Sequence, residues 1–198
     1  MSAIANPFPQ ASASWRLPDR GKIAMSCLIL AESAIFTIFV VAYLFYVGKS
    51  LSGPTPRDVL ETPIFYTICL LSSSLTIHLA AKLLVRDKVG SFLFLWLLTF
   101  ALGGLFLYGT GKEWHKLIYV DGLTISTNLF GTTYYSLVGL HAFHVTVGLF
   151  MILIVAICAL AGRVGVEQAH RVEVLSMYWH FVDVVWVVVF TVVYVVGR

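Results

Sequence analysis

The chain has 198 residues, of which 59% are hydrophobic and 12% charged, about half the charge of an ordinary soluble domain. With a mean hydropathy of +0.90, this excludes a water-solvated globular domain and places the chain among integral membrane proteins. The net charge is +3, but the basic residues stand singly between apolar runs, without the stripe or aromatic pairing that nucleic-acid binding requires.

Residues 1–22 form a polar segment containing Pro7, Pro9, Pro18, Arg16, Asp19, Arg20 and Lys22. The apolar run after it, 23–47, exceeds the 7–15 residues of a signal-peptide core and reads as a retained first span. Four more runs follow, approximately at 63–84, 91–108, 133–161 and 174–196. A helix needs about 20 residues to cross the bilayer. Five continuously apolar runs predict an all-α bundle of five transmembrane helices over residues 23–198, since so few strands could not close a barrel.

The predicted connections carry turn chemistry. Ser52-Gly53-Pro54-Thr55-Pro56 interrupts the chain after the first span, and Pro63 opens the second, where its missing N–H costs nothing. Arg86-Asp87-Lys88-Val89-Gly90 reads as a tight charged hairpin. A long loop is expected over 109–132, where Trp114, His115, Tyr119 and Asn128 suit the membrane interface. Cys27, Cys69 and Cys158 fall within apolar runs without a CxxC pair and read as small packing residues.

Arg16, Arg20, Lys22, Lys82, Arg86, Lys88, Arg163 and Arg171 fall on one side of this topology. Lys49, Arg57, Lys112, Lys116 and Arg198 fall on the other. The excess of Lys and Arg on the first side predicts a cytoplasmic N-terminus and an external C-terminus.

Ionisable groups at bilayer depth need an internal partner or an aqueous pocket, which makes them the place to look for function. Glu32, His78, His141, His144, His180 and Asp183 are the candidates. Glu32 and Asp183 each lie about nine residues into a span that starts on the cytoplasmic side, roughly 14 Å deep. His78 approaches that level from the opposite direction, so a polar cluster of Glu32, His78 and Asp183 is expected in the cytoplasmic half. His180, Asp183 and Trp186 follow at intervals of three on one helical face, as do His141 and His144. Three functional classes fit these residues. They could serve as hydrogen-bonding glue between helices, as haem ligands of a membrane cytochrome b, or as carriers in a proton-coupled transporter. No two spans offer matched histidine pairs for stacked haems, and no span is broken mid-membrane by Pro-Gly.

Several segments resemble subunit III of the haem-copper respiratory oxidases. Tyr178-Trp179-His180-Phe181-Val182-Asp183-Val184-Val185-Trp186 looks like the family signature. Gly139-Leu140-His141-Ala142-Phe143-His144-Val145-Thr146-Val147-Gly148 is similar to its GxHxxHVxxG segment, preceded by the family-like Phe130-Gly131-Thr132-Thr133-Tyr134-Tyr135. Leu60-Glu61-Thr62-Pro63 opens the second span as in the family, and Glu32 matches its membrane-buried glutamate. The matches run in family order from about residue 22 to the C-terminus.

The resemblance implies the five-span bacterial form of cytochrome c oxidase subunit III. Such a chain is a non-catalytic member of a proton-translocating oxidoreductase in the bacterial inner membrane. It implies no catalytic residue, metal or cofactor in this chain, haem and copper in partner subunits, association with subunit I and with subunit II, and bound structural phospholipid. Glu32, His141, His144, His180, Asp183 and Trp186 are then expected to organise the bundle and its lipid sites, in support of proton uptake during O2 reduction. An accessory subunit of a quinol oxidase or of a nitric oxide reductase fits the same family. The longer members have seven spans, so a lipid cleft against the two extra helices is not expected within this chain alone. The chain also departs from the family at Ala31-Glu32-Ser33, where the usual Ser-Glu order is inverted, and at 39–43, which lacks the family's Trp.

Overall fold

Apolar side chains dominate every long segment, and only helices satisfy backbone N–H and C=O groups within a single lipid-immersed segment. The computed structural model describes residues 19–50 and 53–197. Most of the expected polar N-terminal segment, together with Ser52 and Arg198, lies outside them. The described residues form α1 (Arg20–Tyr46), a single-turn α2 (Pro56–Val59), α3 (Ile64–Val85), α4 (Val89–Tyr119), α5 (Leu129–Leu160) and α6 (Ala169–Phe190). A 3-10 turn, Val166–Gln168, leads into α6, and Thr191–Val196 continue it as a π-helix. Among the described residues there is no strand, and five of the helices are long and apolar enough to cross a membrane.

Local sequence sets the ends. Asp19 caps α1, its Oδ1 accepting from the N–H groups of Gly21 at 2.7 Å and Lys22 at 3.3 Å. Thr55 and Asp58 form the capping box of α2. The Thr55 hydroxyl, and then its backbone N–H, hold the Asp58 carboxyl below the usual carboxylate range. The hairpin between α3 and α4 turns at Asp87, whose φ of 57° is tolerated by a short polar side chain. α5 stops at Gly162, φ 70°, with the Arg163 N–H reaching back to the Cys158 carbonyl at 2.9 Å.

α6 lies at the middle of the packing, against α1, α3 and α5. α4 packs on α3 and α5, and α1 rests on α5 and α6. The start of α1 meets the start of α6, where Lys22 Nζ is 2.8 Å from Glu173 and His170 Nε2 is 2.8 Å from Asp19. At the opposite end the Asn128 amide donates to the Pro54 carbonyl at 3.1 Å, joining the start of α5 to the loop after α1. α1 is held thinly, with Phe36 and Tyr43 as its buried residues.

The main departure from expectation is at the end of the third span. The loop expected from Gly109 is helical as far as Tyr119, and the remaining connection is short. Gly109 and Gly111 invite a loop reading because glycine is a poor helix former. Gly109 is instead a packing position, where a Cβ would collide with the Tyr66 ring. Phe106, Gly109, Thr110 and Leu117 carry the buried face onward at helical spacing, and Lys116 is paired with Glu61 before α3.

Candidate functional site

The ring of His144, on α5, has two distinct contacts. Nδ1 lies 2.8 Å from the Leu140 carbonyl, which can only accept, so Nδ1 carries a proton. Nε2 lies 3.1 Å from Glu32 Oε2 on α1. The Glu32 contact therefore requires one more proton, held either by the imidazolium or by the carboxylic acid. The side chains are 7% and 23% exposed, so the pair sits within the packed bundle. Phe36 flanks the ring at 5.0 Å, and the Tyr178 hydroxyl donates to the His144 carbonyl at 3.2 Å. These contacts tie α1, α5 and α6 together.

His141, one turn earlier, lies in an aromatic box. It stacks on Trp186 at 4.9 Å and 30° and meets the edge of Phe106 at 5.6 Å. It is fully buried, and neither ring nitrogen has a hydrogen-bond partner among the described residues. An imidazole without a proton acceptor in such surroundings stays neutral and behaves as a flat packing group.

Polar side chains stitch α3 to α6. The Trp179 indole N–H donates to the Ser73 hydroxyl at 2.9 Å, and that of Trp186 to Thr67 at 3.1 Å. Ser74 Oγ is 2.7 Å from His180 Nδ1, and the His78 ring lies 6.2 Å from that of His180. Asp183 is 3% exposed, and its carboxyl oxygens have no hydrogen bond among the described residues. The Ser74 hydroxyl approaches that carboxyl, but its short contact is with His180. Trp179 fits between Gly103 on α4 and Gly148 on α5, and a Cβ at either glycine would come within 2.8 Å of the indole. A third indole N–H, that of Trp96, links α4 to the Ile152 carbonyl of α5 at 2.9 Å.

The groups anticipated at one depth are thus distributed among separate contacts: Glu32 with His144, and His78 with His180. One polar site escaped sequence reading. Glu113 on α4 accepts the Tyr194 hydroxyl at 2.9 Å to each carboxyl oxygen, and the Tyr134 hydroxyl lies 3.5 Å from that of Tyr194. The π-helical turn carries Tyr194 to this contact. Its signal was the i, i+3, i+4, i+7 series 106, 109, 110, 113 and 117, which continues the buried face of α4 past the glycines. Glu113 also lines a groove of 440 Å³ between α3 and α4, beside Lys112, Lys116 and Glu61. Among the described residues no three His, Cys, Asp or Glu side chains form a group that could hold a metal ion. Chemically, the arrangement joins helices and holds protons in place.

Comparison with known proteins bears on the whole of this bundle. A sequence model described as cytochrome c oxidase subunit III matches residues 21–198. Cytochrome c oxidase subunit 3 of Alkalihalophilus pseudofirmus is 34% identical, across 84% of this chain and 82% of its own. Cytochrome c oxidase subunit 3 of a Synechocystis species is 36% identical, across 89% and 76% respectively. Cytochrome bo(3) ubiquinol oxidase subunit 3 of Pseudomonas aeruginosa is 33% identical, across 85% and 81%.

Proposed function

We propose, from the premise that this chain belongs to the cytochrome c oxidase subunit III family, how it serves its complex. It is a multi-pass membrane protein and the non-catalytic third subunit of an aerobic terminal oxidase. Its work is to brace the catalytic haem-copper subunit, subunit I, and to stand beside subunit II. It also holds phospholipid in its surface grooves and sustains proton uptake during O2 reduction. Haem and copper belong to the partner subunits. The chain lies in the bacterial inner membrane with its N-terminus in the cytoplasm, in keeping with the distribution of Lys and Arg.

The observation that carries this reading is the family match, which runs almost from end to end of the described bundle. The geometry agrees with a bracing role. The Trp96, Trp179 and Trp186 indoles, Ser74 with His180, and Glu32 with His144 all span from one helix to another. Buried polar pairs of this kind fix the register of membrane helices, where apolar burial alone gives little specificity.

The test is deletion of the gene in its own host, followed by assay of oxygen consumption in isolated membranes. Oxidase that still reduces O2 but loses activity faster during turnover and proton uptake is the expected result. Complete absence of any effect on assembly, turnover lifetime and lipid content would remove the reading.

A second reading keeps the architecture and changes the electron donor to quinol. It is favoured by the similarity to the ubiquinol oxidase subunit 3 of P. aeruginosa. Growth and oxidase assays with cytochrome c or quinol as the donor distinguish the two.

A further inference from the structure

Six histidines occur in the sequence, and four of them are accounted for by the fold. His170 lies in the first turn of α6, beside Asp19 and Glu173, and His115 lies near the end of α4 against the Tyr119 ring. His141 and His144 are buried. His78 and His180 are different. His78 is exposed and His180 half-buried on the outer surface of the α3–α6 seam. At 1.5 Å per residue, His78 stands roughly 10 Å from the end of α3, and His180 roughly 9 Å into the apolar part of α6, which follows His170, Arg171 and Glu173. These are depths at which lipid chains offer no hydrogen bond.

Ser74 occupies His180 Nδ1. No hydrogen bond of His180 Nε2, and none of His78, goes to a described residue. The exposed Leu71, Leu75, Val184 and Val187 make the surface around the two imidazoles largely apolar, with the exposed Lys82 one turn beyond His78 towards the end of α3. The other outward faces look different. α5 presents Phe143, Phe150, Ile154 and Ile157, and its exposed Thr146 hydroxyl is satisfied by the Ala142 carbonyl of its own helix at 2.8 Å. α1 presents Leu30, Ile38, Val41 and Phe45, with the Ser33 and Thr37 hydroxyls likewise bonded within the helix. These hydroxyls turn back to their own helix, as His144 Nδ1 does to the Leu140 carbonyl, whereas neither His78 nor the Nε2 of His180 makes such a bond.

We infer that the α3–α6 face bearing His78 and His180 is the surface that receives the catalytic subunit, through a transmembrane helix presenting hydrogen-bond acceptors to the two imidazoles. The inference rests on the proposed subunit role and specifies where that role is exercised. Lipid tails cover the α5 and α1 faces without penalty. On the α3–α6 face they would leave His78 and the Nε2 of His180 without a partner, which a protein partner with carboxylate, hydroxyl or carbonyl oxygens avoids.

The test uses the chain in its native membrane. A photoreactive phenylalanine replaces Leu75 or Val187 on the face, and Phe150 or Ile154 on α5 as controls. After irradiation the tagged chain is purified and its adducts are identified. Adducts to the large haem-bearing subunit from positions 75 and 187, and not from 150 and 154, are expected. Adducts from 75 and 187 to lipid or to a second copy overturn the inference, as do haem-subunit adducts confined to the α5 positions. In those cases co-purification of haem shows that the subunit role itself survives. A tagged chain that brings down no haem-bearing subunit removes both. A second measurement uses His78→Leu, an exposed substitution that leaves the bundle packed. It should speed dissociation of the chain from the complex in detergent by about threefold to tenfold, the scale of one interhelical hydrogen bond. An unchanged rate in His78→Leu and in the His78→Leu/His180→Leu double variant counts against the inference.

Discussion

Glu32 and His144 face each other across 3.1 Å between α1 and α5, with His144 Nδ1 already committed to the Leu140 carbonyl. Because that carbonyl cannot donate, the Glu32 contact must hold its own proton. Within the bundle the pair fastens a helix whose buried residues are Phe36 and Tyr43 and whose start is tied to α6 by Lys22 and Glu173.

Glu32→Ala and His144→Ala should each loosen α1. Their double variant should reveal a coupling of about 0.6–1.7 kcal/mol, the range for interhelical hydrogen bonds in membranes. Glu32→Gln should retain most of the stability, since its amide can donate to Nε2. Equilibrium unfolding in mixed micelles gives the four values of the cycle, and a coupling near zero would show that the contact carries no weight.

His141 offers the opposite case. Without a hydrogen bond to break, His141→Phe should be neutral or stabilising, because it keeps the stack on Trp186 and removes a buried polar group. His141→Ala should cost about 2–4 kcal/mol through the cavity it leaves in the aromatic box. Thermal unfolding of the purified complex distinguishes the two. A His141→Phe variant that fails to assemble would mean that the imidazole bonds to something in the complex.

Trp179 is gripped by glycines on two helices. Gly148→Ala should destabilise by about 1–3 kcal/mol, since its Cβ would stand 2.8 Å from the indole. The smaller ring of Trp179→Phe, introduced on top of it, should restore part of the loss. Additive losses in the double variant would contradict this packing.

Tyr194→Phe should destabilise by about 1–3 kcal/mol, because it removes the hydroxyl that both oxygens of the Glu113 carboxyl accept from. Glu113→Gln, which keeps an acceptor oxygen in place, should cost less. Circular dichroism melts in detergent supply the comparison, and equal losses would mean that the carboxylate matters for something other than this bond.

The all-α, five-helix architecture was legible from the sequence because lipid immersion leaves the backbone few alternatives. The candidate residues stood out for the related reason that a Glu, Asp or His inside an apolar run is expensive. Family resemblance was carried by unbroken motifs such as 178–186. Pairing was not legible. Which histidine meets Glu32 depends on the rotation and order of the helices, and depth alone grouped Glu32 with His78 and Asp183. The structure gives Glu32 to His144 and sets His78 beside His180. Glu113 was hidden by a different effect: Gly109 and Gly111 look like the start of a loop, whereas the Tyr66 ring needs the space at Gly109 inside a continuous helix. The fit of Trp179 between Gly103 and Gly148 joins residues from three helices, and no local window contains it.

The subunit assignment is tested first by gentle purification of the tagged chain from its native membrane, followed by a visible spectrum of the complex and of the chain expressed alone. Haem absorbance together with a large many-span partner is expected in the complex, and a colourless chain by itself. A Soret band from the isolated chain, with no partner present, would make it a cytochrome in its own right and contradict the subunit assignment.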